Sequence, residues 1–183
     1  MWWALLLNVI SGLLSGGVAA STTSYESIAT ASPAGSNTLT FSSIPSTYKH
    51  LQVRIIAAAS DGLQGGYMQF NGTTSPYYTH YIGGNGSTAS AGGLSNNFIY
   101  SYFYGSGSSM GVSVIDILDY TSTNKNKTTR SLVGYDNNGS GTVQLYSGLW
   151  SPATPVAITS ITFNSTGTNF QTGTHFALYG IKG

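Results

Sequence analysis

The chain contains no cysteine. That excludes disulfides, iron–sulfur clusters and thiolate zinc sites. Charge is nearly as scarce. Six Lys and Arg and five Asp and Glu amount to 6% of 183 residues, against roughly 25% in an ordinary globular chain. One Glu and five Gln leave few strong helix formers, so a charge-laced bundle or coiled coil is excluded. The basic residues are scattered and the net charge is +1. No basic stripe is available to neutralise phosphates, which argues against a nucleic-acid partner. The apolar run from Trp2 to Leu14 falls short of the roughly 20 residues that span a bilayer. Disorder is excluded in turn, because 13% of the residues are aromatic and such a chain has enough apolar surface to fold.

What is abundant is small and uncharged: 27 Ser, 22 Thr and 24 Gly. A surface of this kind suits an extracellular or particle-bound β-protein. The length is that of one domain.

Residues 1–20, MWWALLLNVISGLLSGGVAA, stand apart. Leu6, Ile10, Leu13 and Leu14 repeat at helical spacing, with Trp2 and Trp3 adding apolar surface. Ser15-Gly16-Gly17 ends the pattern. Val18-Ala19-Ala20 has the small residues of a signal-peptide cleavage site, but no Lys or Arg occurs before Lys49, so the basic flank of such a signal is missing. The expectation is a short hydrophobic helix or arm, an anchor over 1–20 that docks on other chains through Trp2, Trp3, Leu6, Ile10 and Leu13.

Residues 21–183 read as one all-β domain, in short runs of β-formers separated by Gly, Asn, Ser and Pro. Expected strands are 24–31, 38–44, 48–58, 66–71, 77–82, 97–104, 111–120, 129–136, 142–150, 156–163 and 174–182. Leu51, Val53 and Ile55 alternate against His50, Gln52 and Arg54. Apolar parity slips between Val114 and Ile115, and again at Thr159-Ser160, which reads as a β-bulge at each. Asp136-Asn137-Asn138-Gly139 marks a hairpin. The stretch 83–96 reads as a long flexible loop. About ten short strands at this spacing imply an antiparallel β-sandwich, jelly-roll-like.

Few constellations carry chemistry. Gly107-Ser108-Ser109-Met110-Gly111 matches the nucleophile motif G-x-S-x-G, but a strand pattern follows it where a hydrolase has a helix. His50, His80 and His175 lack metal-ligand spacing. Asp116 and Asp119 have opposite parity, unlike the facing carboxylates of a glycosidase. Ion pairing with Lys49, Arg54 or Arg130 is the better reading. No catalytic residue, metal or cofactor is expected, and the chain reads as a non-enzyme. Five glycosylation sequons, at Asn71, Asn85, Asn126, Asn138 and Asn164, are little above chance in so Asn-, Ser- and Thr-rich a chain. The tyrosines are more suggestive. Tyr77, Tyr78 and Tyr81 cluster around His80, and Tyr100, Tyr102 and Tyr104 share a parity with Phe98. Flat rings with a polar tip suit glycan stacking or packing between subunits.

Residues 1–17, 24–55 and the closing THFALYGIKG resemble small virion structural proteins of tailed bacteriophages, of the tail-fibre, head-fibre or decoration type. Tyr25-Glu26-Ser27-Ile28-Ala29, Tyr48-Lys49-His50-Leu51 and Leu178-Tyr179-Gly180-Ile181 carry the resemblance, and residues 61–110 lie outside it. It implies a β-sandwich subunit of a virion assembled in the host cytoplasm, commonly a homotrimer, held by its N-terminus to other virion proteins. Contact with a host-surface glycan is a further implication. It carries no catalytic residue across. The alternative is a secreted carbohydrate-binding β-sandwich whose first 20 residues are cleaved.

Overall fold

The computed structural model describes residues 23–59, 65–74, 76–100, 105–106 and 109–183. The anchor residues Trp2, Trp3, Leu6, Ile10 and Leu13, and with them the expected N-terminal helix, lie outside this set, as do Tyr102 and Tyr104.

The described residues form strands and no helix. In chain order these are β1 (Tyr25–Ala31), β2 (Thr38–Phe41), β3 (His50–Ala57), β4 (Gly66–Phe70), β5 (Tyr77–Gly84), β6 (Ala89–Asn96) and β7 (Ile99–Tyr100). They continue as β8 (Gly105–Ser106), β9 (Ser109–Ile117), β10 (Lys127–Asp136), β11 (Gly141–Trp150), β12 (Ile161–Ser165) and β13 (His175–Ile181). A large sheet runs β1-β13-β3-β9-β10-β11-β5-β6, with β8 paired to the start of β9. A four-stranded sheet runs β2-β12-β4-β7. Every pairing is antiparallel. The all-β antiparallel sandwich expected from the strand spacing is the fold observed, with sheets of unequal size.

Alternation explains the core. Leu51, Val53 and Ile55 of β3 and Ile115 and Ile117 of β9 point inward from the large sheet. Met68, Phe70, Ile161 and Phe163 meet them from the small one. Aromatic rings fill the ends. Trp150 packs on Phe70 at 5.5 Å and Tyr77 at 6.2 Å, and Phe176 packs on Phe163 and Phe170. Each buried side chain of this size contributes about 1.5–3 kcal/mol of transfer free energy.

Turn residues fix the hairpins. Asn138 and Gly139 both have positive φ, 55° and 90°, as a type I′ turn requires. The Gly139 N–H donates to the Asp136 carboxylate at 3.1 Å. The ladder from Lys127↔Trp150 to Asp136↔Gly141 is therefore in register throughout. Gly180 sits where the Tyr48 ring crosses β13, and a Cβ there would lie 2.2 Å from the ring.

Three expectations are corrected. Residues 83–96 are not a flexible loop: β5 extends to Gly84 and β6 pairs with it from Ala89 to Asn96. The alternation was absent because this hairpin is exposed on both faces of β6. Residues 156–160 are not strand and contain no bulge. Their backbone bonds go elsewhere, since the Asn71 amide oxygen accepts from the Thr159 and Ser160 N–H groups at 2.8 and 3.1 Å. The Asn71 amide nitrogen also donates to Ala157 O at 2.8 Å. Finally, β9 has no slip at Val114–Ile115. Its register with β3 and β10 is continuous, and the change of parity has another cause, given below.

Candidate assembly interface

Two rows of side chains cross the outer face of the large sheet. In the first, Arg54, Val114, Leu132, Leu145, Ile82 and Ala91 stand opposite one another across β3, β9, β10, β11, β5 and β6. In the second, Ile56, Val112, Gly134, Val143 and Gly84 do the same. Six strands at their usual spacing make this band about 24 Å wide. Its members are well exposed: Ile82 61%, Val143 57%, Leu132 55% and Val112 52%. The face is dished between the β5–β6 hairpin and β10–β11. A shallow concavity of about 540 Å³ there is walled by Ile82, Ala89, Ala91, Leu132, Val143 and Leu145.

The same strands are apolar on both faces, unlike an ordinary one-sided sheet. Under the band, on the covered face, Gly111, Ser113, Thr129 and Ser131 stand among Ile55, Ala57 and Val133, all buried. Aliphatic side chains therefore point outward from this sheet as well as inward. This is the origin of the parity change at Val114–Ile115: Val112 and Val114 face outward while Ile115 and Ile117 face the core. Both faces of β9 are apolar at different points along it.

A polar line borders the band. Gln52 donates to Asp116 at 2.9 Å, and Arg130 pairs with the other Asp116 oxygen at 2.7 Å. The Arg54 guanidinium donates to Gln52 at 2.9 Å and lies 4.9 Å from the Tyr179 ring and 5.5 Å from that of Tyr25. Asp116 and Arg130 are matched within the chain, and Arg54 is held by Gln52 and the two rings. Asp119, in the turn after β9, accepts from Lys125 and Lys49 at 3.0 and 3.2 Å. The Lys125 bond, then that of Lys49, holds its carboxyl below the ordinary 3.8. Asp116 and Asp119 therefore serve ion pairs, not a shared cleft.

The tyrosines do not form one surface. Tyr77 is removed from any glycan or subunit surface, since it is fully buried. Its hydroxyl accepts from the Phe70 N–H at 2.9 Å, and burial pushes its pKa up. Tyr78 is on the opposite face and exposed. Tyr81 shares the face of Tyr77 and packs 5.6 Å from Tyr146. Its ring lies over Gly92, where a Cβ would be 2.8 Å away. The His80 ring covers Gly93 in the same way. Tyr100 belongs to a different patch, on the outside of the small sheet. There Phe98 stacks on Tyr67 at 4.2 Å and meets Tyr100 edge-on at 4.9 Å.

The remaining candidates make hydrogen bonds within the chain. The Ser109 hydroxyl donates to the Asn137 amide oxygen at 3.0 Å. His50 Nδ1 accepts from the Asp119 N–H at 3.0 Å, and His175 Nδ1 is 3.3 Å from the Ser32 hydroxyl. Among the described residues no group of three His, Cys, Asp or Glu side chains is placed to hold a metal ion, and no helix is long and apolar enough to cross a membrane. The sequence reading passed over Ile56, Ile82, Val112, Val114, Leu132, Val143 and Leu145. For Val112 and Val114 the signal is the parity slip in β9.

Neither a scan against protein-family models nor searches of curated proteins and of solved structures finds a match to this chain.

Proposed function

We propose that the chain is a non-enzymatic structural subunit of a bacteriophage virion, a fibre, spike or decoration protein assembled in the host cytoplasm. Residues 1–17 attach it to other virion proteins. The observation that carries the structural role is the exposed aliphatic band on a charge-poor two-sheet sandwich. A contiguous patch of this size marks an interaction surface. The virion assignment draws on the resemblance of residues 1–17, 24–55 and 174–183, and the homotrimer is its corollary. Host-glycan adhesion would draw on Tyr78 and on the polar tip formed by Asn85, Tyr135 and Asp136. The secreted carbohydrate-binding reading loses Tyr77 to the core, and we do not adopt it.

The test is incorporation. Full-length chain produced during phage assembly should co-sediment with particles through a density gradient, and chain lacking residues 1–17 should not. Recovery only as free protein, at any expression level, contradicts the virion role.

A further inference from the structure

The band needs an occupant, and three features define it. The first is area. Seven aliphatic side chains, each roughly half exposed, present on the order of 500 Å² of apolar surface, at the top of the range for the largest patch on a monomer. With its rim of Thr, Ser and Gly backbone it approaches the ~800 Å² per partner of a standard protein interface. The second is charge. The two rows hold a single charged residue, Arg54, at one margin and stacked on its own tyrosines. A charged partner would find only this marginal Arg54, while identical copies meet with little like-charge repulsion. The third is continuity. The band ends on β6, the last strand of the large sheet. Its run Ala89–Asn96 carries no charge and no Pro, the devices that ordinarily guard an edge. A sheet-bearing partner answers both the face and the edge.

We propose that a second copy of this chain packs on the outer face of the large sheet, its own band covering Ile82, Val112, Val114, Leu132, Val143 and Leu145. This rests on the structural-subunit reading, adds the partner and the surface, and puts a two-fold pair in place of the homotrimer, because a face that covers itself closes after two copies. Aliphatic rows from two copies interdigitate as in the core of a sandwich, about 10 Å apart. The Asp116–Arg130 line lies at the rim, where water reaches it.

The test uses the full chain in solution. Leu132 is central and half exposed, so Leu132→Lys leaves the isolated fold within about 0.5 kcal/mol of its stability. Thr128→Lys, on the same face of β10 but outside the band, is the control. Sedimentation should show the wild type and Thr128→Lys as oligomers, with Leu132→Lys dissociating at least 100-fold more readily. Because the chain has no cysteine, Leu132→Cys introduces a unique thiol, which should react slowly with a bulky reagent in the oligomer and rapidly on dilution. A monomeric chain with a reactive thiol overturns the proposal, because the face is then open. A monomeric chain with a protected thiol also overturns it, assigning the cover to residues 1–22. An oligomer indifferent to Leu132→Lys places the contact elsewhere and overturns it too. None of these outcomes touches incorporation into particles, which tests the virion reading separately.

Discussion

Lys127 is the most deeply buried charge among the described residues. Its ammonium donates to Ser122 O at 2.6 Å and Lys125 O at 2.7 Å, closing the connection from β9 to β10. Lys127→Met should fill the same space but leave two carbonyls unmatched. A loss of about 1.5–3 kcal/mol is expected from the denaturant midpoint, the range for hydrogen bonds from a charged donor. Tyr77→Phe tests the reassignment of that ring. Removing the hydroxyl orphans the buried Phe70 N–H and should cost about 1–3 kcal/mol. Particle binding or glycan binding should be unaffected by it. Asp119 predicts an acid effect. Its carboxyl is held below its ordinary value by Lys125 and Lys49, so its contribution is present above that value and is lost as pH falls through the lower folded-state value. Asp119→Asn should make the decline of the denaturation midpoint below about pH 4 shallower than in the wild type. An unchanged acid limb would show that the ion pairs add nothing to stability.

At the scale of the strand, neighbouring residues on β9 should behave as opposites. Ile115→Ala empties core volume and should cost about 2–5 kcal/mol. Val114→Ala, one residue earlier and outward, should cost under about 1 kcal/mol in dilute monomer. Comparable losses at both would mean that the register is wrong. The same two residues show how far the sequence could be read. Strands such as β3, with clean alternation against a single core, were legible. So was the β10–β11 hairpin, because Asn138-Gly139 admits one turn geometry. The parity change in β9 was visible but ambiguous, since a bulge and a second apolar face produce the same pattern. The β5–β6 hairpin was hidden for the converse reason. With neither face of β6 covered, small residues suffice and no hydrophobic period marks the strand. Residues 156–160 misled because Val156, Ile158 and Ile161 look like a strand, while the Asn71 side chain, far away in sequence, takes the backbone bonds that a neighbour would need.

At the scale of the molecule, one sandwich presents two unlike surfaces. Its core lies between the sheets, closed by aromatic rings, and its charges are few, with Asp116–Arg130 and Asp119 with Lys49 and Lys125 as ion pairs near β9. The outer face of that sheet carries exposed aliphatic side chains, where water alone would select polar ones. A second copy on that face restores the usual order, apolar inside and polar outside, for both chains at once. The most direct check is sedimentation equilibrium of the unmodified full-length chain over a hundredfold range of concentration. An integral multiple of 19.1 kDa that falls towards 19.1 kDa only on dilution is the expected result. A mass of 19.1 kDa at every concentration, with the chain folded, would contradict it.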